Sequence, residues 1–236
     1  MSIVGSLSRL AEYYRRHGLA ATISRSKLAV ERILFAGRMV VFYCDLDKRH
    51  PSQRNPPKAW KVQRLGALAE LSQEYFRQMT EFWNPKLASK NITQRFAKGA
   101  SLWLLEVDDR LAGYGWTLQG TTVEPYYFPL SKDDVHLFDF HVFPQYRGRG
   151  LNPFLVSSIL SELASQNGGR AFIEAAEWND AQLASLERTT FRRYGLVHSF
   201  RLFGHTFVSW IEKESLPAKN MNSADPTLRM VGSGEP

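Results

Sequence analysis

A chain of 236 residues in which 44% are hydrophobic and 13% aromatic is long and apolar enough to bury one substantial core, which excludes wholesale disorder. Its single cysteine, Cys44, excludes an intrachain disulfide and is expected to be a small buried residue rather than a nucleophile. The longest apolar runs are too short to cross a bilayer, and the N-terminus lacks a secretory signal, so the sequence predicts a cytoplasmic protein.

The net charge of +7 is concentrated at the N-terminus, where residues 1–57 hold ten basic and four acidic residues. This distribution argues against a nucleic-acid-binding core. It places any attraction to anions in the first 57 residues, which could contact the inner face of a membrane or an acidic protein. The alternative, which we favour, is that their first helix packs on the domain that follows. No zinc-ligand spacing occurs. His136 and His141, five apart on one presumed strand, are expected to point to opposite faces, so no metal is predicted.

Residues 1–57 are predicted to form a basic, helical N-terminal extension. An apolar stripe with helical spacing indicates a first amphipathic helix, at Ile3, Leu7, Leu10, Ala11 and Tyr14. Residues 23–35 form a second, less regular helical segment, and "MVVFYCDL" is typical of a strand. The Pro-rich stretch at residues 50–57 is predicted to be the linker to the next domain.

The domain that follows is predicted to span residues 58–212. A short strand at residues 60–65 precedes a helix, which Asn84-Pro85 separates from a second helix that runs to Gly99. "SLWLLEV" and "LAGYGWTL" are typical of strands, and the turn formers Asp108 and Asp109 between them predict a hairpin.

The second half of the domain begins with the strand "VHLFDFHVF". A glycine turn follows, then a helix from Pro153 to about Asn167, the strand "RAFIEAA", and a helical stretch to Tyr194. Two last strands are predicted around "HSFRLFG" and "HTFVSWI". Residues 213–236 are polar and contain Pro and Gly, which predicts a disordered tail.

The turn after the strand "VHLFDFHVF" combines features that suit an anion. Asn152 is a good N-cap and Pro153 fits the first helical position, so a helix N-terminus would point its free N–H groups at the turn. Glycines let the backbone approach a ligand, and arginines add charge. The predicted phosphate cradle consists of Arg147, Gly148, Arg149 and Gly150.

The segment "VFPQYRGRGLNPFLVSSIL" resembles the acyl-CoA-binding segment of the GNAT superfamily of acyl-CoA-dependent N-acyltransferases. "DDRLAGYGW" is similar to the hairpin of that family, and "TTFRRYGL" to its late helix. The order of the elements over residues 58–212 also matches. The resemblance implies an α/β fold with a mixed central sheet, preceded here by the helical extension.

The resemblance also implies where the acyl-CoA would bind. Backbone amides from Arg147 to Asn152 would hold the pyrophosphate, and the strand at Phe140 and Val142 would pair with the pantetheine arm. Asn179 is the candidate for an Asn that the family places after the next strand. Two positions depart from the family: Asn152 replaces a Gly or Ala, and Phe191 replaces a Tyr that often acts as general acid.

Candidate bases come from the strand before the glycine turn. Simple alternation places Asp139, His141 and Phe143 on one face, and Phe138, Phe140 and Val142 on the other. Asp139 and His141 are therefore candidates for the group that deprotonates an acceptor ammonium, with Glu174 on the next strand as a third. Tyr126, Tyr127 and Phe128 would either border the acceptor pocket or cover the core.

The predicted activity is transfer of an acetyl or short acyl group from acyl-CoA to a small primary amine. The segment "YRGRGLNPFL" and the basic N-terminal extension resemble GNAT proteins of surface-polysaccharide pathways, which suggests an amino sugar as acceptor. One alternative is a longer acyl chain delivered by an acyl carrier protein, which the basic N-terminal extension would bind. Another is an acyl-CoA-binding protein without catalytic activity. Nucleic-acid binding rests only on the basic pI and is not favoured.

Overall fold

The structure, a computed structural model, describes residues 37–47, 59–123, 126–166, 169–202 and 205–216. The helices predicted before residue 37, the linker predicted at residues 50–57 and most of the predicted tail lie outside these ranges and stay predictions.

One eight-stranded mixed sheet organises the described residues. Its strands are β1 Arg38–Asp45, β2 Trp60–Leu65, β3 Ser101–Val107, β4 Arg110–Gln119, β5 Val135–Val142, β6 Arg170–Ala176, β7 Arg192–Leu202 and β8 His205–Lys213. They lie in the order β2-β3-β4-β5-β6-β1-β7-β8, and among these described strands only β5 and β6 pair in parallel. The predicted α/β class with a mixed central sheet is thereby confirmed. The helices are α1 Gln73–Glu81, α2 Pro85–Ala97, α3 Leu151–Gln166 and α4 Asp180–Leu186.

Local sequence signals set most of the boundaries in the first half of the domain. The side chains of Ser72 and Asn84 cap α1 and α2 by accepting backbone N–H groups three residues on. Asp108 and Asp109 both have left-handed backbone angles (φ 51° and 56°), as a two-residue turn between β3 and β4 requires. The predicted hairpin and the break between the two helices are confirmed.

Strand β1 occupies a position that its place in the sequence does not suggest. It lies inside the sheet, antiparallel to β6 on one side and to β7 on the other, and Val41 opposes both Glu174 and Gly195. Val41 is fully buried. Although the sequence assigns this strand to the N-terminal extension, it belongs to the same packed unit as residues 59–216.

The last predicted helix is shorter than expected. The sequence predicts helix up to Tyr194, but α4 ends at Leu186 and β7 begins at Arg192. The Thr189 hydroxyl donates to the Leu186 carbonyl and accepts from the Phe191 N–H, which closes a turn instead of another helical turn. Phe191 therefore lies outside the helix, where it is 7% exposed and packs in the core.

Helices cover both faces of the sheet. Helix α3 buries one apolar face against β3, β4 and β5, and its buried residues include Leu155 and Ile159. Helices α1 and α2 pack on the opposite face over β3 and β4, through Met79 and Ile92 among others. On that second face, aromatic residues of the loop at 126–130 cover β6, β1 and β7.

Candidate functional site

Strands β5 and β6 separate part of the way along their length. They pair only where residues 135–137 of β5 meet residues 171–173 of β6. Beyond Leu137, residues 138–142 of β5 pair with β4 alone among the described strands. The backbone on the β6 side of this segment is therefore open to a ligand that can pair as a strand does.

A bulge at Asp139 changes which side chains of β5 share a face. Asp139 has a left-handed φ of 50°, and β5 has one residue more than β4 between the pairs Trp116–Phe138 and Tyr114–His141. Phe138 and Phe143 consequently pack in one cluster, whereas Phe140 and Val142 contact the other.

This bulge overturns two expectations that assumed regular alternation. Phe138 does not share a face with Phe140 and Val142. His136 and His141 lie on the same side of the sheet rather than on opposite sides, as their ring contacts with Phe138 and Phe143 show. Asp139 and His141 do share that side, as predicted.

The glycine turn presents a row of free backbone amides. Within the described part of the chain, the N–H groups of residues 148–152 donate to no protein acceptor. Gly148 and Gly150 have left-handed backbone angles (φ 77° and 76°), and a Cβ at either would meet nothing within 4 Å. The space in front of these amides is open, and Arg147 and Arg149 flank it. This arrangement fits a phosphate group.

The helix after the turn starts two residues earlier than predicted. Helix α3 begins at Leu151, and the Phe154 N–H already donates to the Gly150 carbonyl. Asn152 is therefore in the first turn rather than at the N-cap. Its Nδ2 donates instead to Ser185 Oγ of α4 at 2.8 Å, which ties the two helices together.

A groove of about 490 Å³ runs from the turn along the open part of β5. All eight residues predicted to bind acyl-CoA line it except Arg149: Phe140, Val142, Arg147, Gly148, Gly150, Asn152 and Asn179. Asn179 is the N-cap of α4 and accepts from the Gln182 N–H. Arg147 Nε donates to the Val142 carbonyl at 3.0 Å, and Arg149 lies over the ring of Tyr146. The Asn152 Oδ1 is buried and has no partner among the described residues.

A second cavity, of about 420 Å³, lies on the opposite side of the bulge, between β5, β6, α2 and the aromatic loop. Asp139 and Glu174 line it together with His136, Tyr126 and Tyr127. Tyr126 and Tyr127 border this cavity, whereas Phe128 packs on Phe172 and Tyr194 in the core. Part of the loop therefore covers the core, and the role of the two tyrosines toward an acceptor stays a prediction.

The three predicted bases have different surroundings. Asp139 forms an ion pair with Arg95 of α2. Glu174 faces the cavity and accepts from His136 Nε2 at 2.9 Å. His141 lines the groove, among the rings of Phe82, Trp83, Tyr114 and Phe143. Burial lowers the pKa of His141, and the Arg147 cation lowers it further, whereas Asp139 opposes both.

His136 was not among the site residues predicted from the sequence, where it was only excluded as a metal ligand. In the structure His136 is 5% exposed and is paired with Glu174 in the cavity. The parallel register places His136 opposite Phe172, and Glu174 is two residues further along β6 on the same face. The sequence shows one polar residue on each of these two adjacent strands. Only the strand register shows that the two side chains lie on the same face and close together.

Tyr126 lines the cavity next to His136. Its ring lies 4.8 Å from that of His136. Burial raises the pKa of Tyr126 well above its ordinary value, and the Glu174 carboxylate raises it further. Tyr126 therefore keeps its proton and is a hydrogen-bond donor at neutral pH.

None of the helices in the described ranges is long and apolar enough to cross a membrane. The same residues contain no group of three or more His, Cys, Asp or Glu side chains placed to hold a metal ion.

Solved structures with this fold include a tandem GNAT protein from the clavulanic acid biosynthesis pathway. It is 16% identical, with a TM-score of 0.51 over 77% of this chain and 55% of that one. An acetyltransferase of the GNAT family from Colwellia psychrerythraea is 12% identical, with a TM-score of 0.47 over 75% of this chain and 56% of that one. The chain thus spans little more than half of either structure. No curated protein matches it in sequence.

The sequence model of the acetyltransferase (GNAT) family matches residues 68–191, which is just over half of the chain. The matched region contains the splayed strands, the glycine turn, the groove and the cavity. The chain belongs to the GNAT acetyltransferase family.

Proposed function

We propose that this protein is an N-acyltransferase that moves an acetyl or short acyl group from acyl-CoA to a small primary amine. The observation that carries the proposal is the continuity of the site. Free amides at residues 148–152 lead into the unpaired edge of β5, and the same strand borders the cavity that holds Glu174. An anion, an extended amide-containing arm and an amine would each find suitable partners along this path.

At the donor end, each group of the site has a task that its chemistry suits. The amides of residues 148–152, with Arg147 and Arg149, would bind the pyrophosphate. The backbone of residues 138–142 would pair with the amides of the pantetheine arm, and the buried Asn152 Oδ1 would accept one further N–H. Because Arg147 Nε occupies the Val142 carbonyl, that oxygen is the least available of the strand.

At the acceptor end, the base is best supported at the pair of His136 and Glu174. Asp139 is engaged by Arg95, and His141 lies in the groove rather than in the cavity. The pair faces the cavity from β5 and β6, beside the point at which the strands separate. A base there could take a proton from an acceptor ammonium, so that the free amine attacks the thioester.

The leaving group needs no acid from the late helix. Phe191, at the position where the family often has a tyrosine, is buried in the core and cannot donate a proton. A thiol has a pKa of about 8.5, so a thiolate is a good leaving group without a dedicated acid. The absence of a hydroxyl at Phe191 is therefore compatible with turnover.

An amino sugar is the acceptor class that we propose. The cavity combines aromatic rings of Tyr126, Tyr127 and Phe138 with the side-chain amides of Asn91 and Gln94. Amide side chains both donate and accept hydrogen bonds, as sugar hydroxyls require, and aromatic rings cover apolar C–H surfaces. A volume of about 420 Å³ falls in the range of pockets for small molecules.

The test is an acceptor screen that measures release of free CoA. Amino sugars, amino acids and simple amines are each supplied with acetyl-CoA and with longer acyl-CoAs, and mass spectrometry identifies the amide. The proposal predicts turnover with acetyl-CoA or a short acyl-CoA and an amine. If acyl-CoA binds but no amine is acylated, the protein is an acyl-CoA-binding protein. If only an acyl carrier protein donates, the donor assignment is wrong.

A further inference from the structure

His136 and Glu174 form a hydrogen-bonded pair that fixes where the proton of the imidazole lies. His136 Nε2 is 2.9 Å from Glu174 Oε2 and 3.2 Å from Oε1. An ionised carboxylate can only accept, so Nε2 must carry the hydrogen. In the neutral imidazole the lone pair is therefore on Nδ1.

The Nδ1 atom has no partner of its own. It is buried and has no hydrogen-bond partner in the described part of the chain. The His136 side chain is 5% exposed and lines the cavity. Buried polar atoms are nearly always hydrogen-bonded, so an unpaired one in a side chain beside a cavity indicates a ligand or a catalytic role.

We propose that His136 Nδ1 is the general base of the acyl transfer and that Glu174 is a positioning residue that holds the imidazole. This assignment rests on the proposed function and names the atom that performs its proton transfer. Histidine is the side chain that most often acts as a general base, and here the imidazole rather than the carboxylate has the unpaired nitrogen.

The groups that surround His136 favour a charge that appears only during the reaction. Glu174 on β6 and Asp139 on β5 would stabilise an imidazolium. Two cations that line the cavity, Arg95 of α2 and Lys98 at its C-cap, would destabilise an imidazolium, but both have other partners. Arg95 pairs with Asp139, and Lys98 Nζ donates to the Val123 carbonyl at 2.9 Å. The neighbouring phenols, Tyr126 and Tyr127, are neutral, because burial raises the pKa of each.

The step balances without a further reactant. The acceptor ammonium gives one proton to Nδ1, and its nitrogen lone pair then forms the C–N bond with the thioester carbonyl carbon. Collapse of the tetrahedral intermediate breaks the C–S bond. The second proton lost by the nitrogen goes to the departing thiolate, which yields the free thiol of CoA. The imidazolium returns its proton to solvent.

Substitutions separate this role from the proposed function itself. With the best acceptor from the screen, H136Q should lower kcat by roughly 10²–10⁴-fold and leave the affinity for CoA unchanged. E174Q should lower kcat less and weaken the preference for hydrogen on Nε2, because an amide can donate as well as accept. H198Q, on β7 and outside the groove and the cavity, is the matched control and should behave as wild type.

The outcomes are distinguishable. Wild-type protein that acylates no amine overturns the proposed function. Turnover that survives H136Q overturns the role of His136 alone. Since His136 is buried and H136Q could fail to fold, the tautomer is also measured in the wild-type protein by ¹⁵N-resolved NMR of the imidazoles. We expect hydrogen on Nε2 at pH 8; hydrogen on Nδ1 contradicts the proposal.

Discussion

Arg95 of α2 forms an ion pair with Asp139, the residue at the bulge of β5. The guanidinium also lies over the rings of Trp116 (5.2 Å) and Phe138 (5.4 Å), and the Arg95 side chain is only 16% exposed. The pair thus connects α2 to the bulge at which the side chains of β5 switch between the two faces of the sheet. Asp139, a candidate base on sequence grounds, has a structural partner here.

We expect Arg95→Ala to lower the free energy of unfolding by about 1–3 kcal/mol, because it removes a charged hydrogen bond and two ring contacts at a largely buried position. Arg77→Ala is the matched control. Arg77 is exposed and lies 4.0 Å from Glu81 on the same helix, so its loss should cost less than about 0.5 kcal/mol. Urea denaturation measures both. Equal effects of the two substitutions would show that the pair does not hold the bulge.

Gly150→Val should weaken acetyl-CoA binding at least tenfold, because the new side chain would project into the open space in front of the free amides. Gly99→Val is the control for backbone strain. Gly99 has a similar φ of 80° and equally open surroundings, but it follows α2 and lines neither the groove nor the cavity. Both variants should lose similar stability, and only Gly150→Val should lose affinity by calorimetry. Equal affinities would refute the phosphate cradle.

Val41→Arg should unfold the protein or destabilise it by more than about 4 kcal/mol, because β1 lies between β6 and β7 and Val41 is fully buried. Val208→Arg, on the last strand of the described sheet and 37% exposed, should cost less than about 1 kcal/mol. Thermal melts followed by circular dichroism compare the two. A chain with Val41→Arg that melts like wild type would contradict the central position of β1.

The depressed pKa of His141 makes stability depend on pH. Burial and Arg147 favour the neutral imidazole in the folded state, so the unfolded chain binds more protons between the folded pKa and about 6.5. Stability is therefore lost as the pH falls through 6.5 and recovers as it rises. His141→Phe, within the same aromatic ring cluster, should remove this contribution. Urea denaturation from pH 5 to 8 should give a flatter profile for the variant, and parallel profiles would be inconsistent with the environment assigned to His141.

The sequence predicted the parts of the fold that depend on local signals. Asp108-Asp109 indicated the β3–β4 turn, Asn84-Pro85 indicated the start of α2, and the short apolar run in "RAFIEAA" indicated β6. These features depend on backbone preferences of a few adjacent residues, which the sequence states directly.

The features that the sequence did not predict depend on contacts between distant segments. The place of β1 follows from pairing with residues more than 120 positions away, and the pair of His136 and Glu174 follows from the parallel register. At the bulge, Asp139 adopts the left-handed backbone region that glycine usually occupies, and its carboxylate pairs with Arg95 of α2. None of these is encoded in a short window of sequence.

The measurement that tests the central claim most directly is a backbone-amide NMR titration of the protein with acetyl-CoA. We predict the largest shifts at residues 148–152 and at 138–142 of β5, with Asn152 and Gly150 among them and little change in β2 or β8. Shifts that leave the glycine turn and the open edge of β5 unaffected would contradict the account, because acetyl-CoA would then bind elsewhere or not at all.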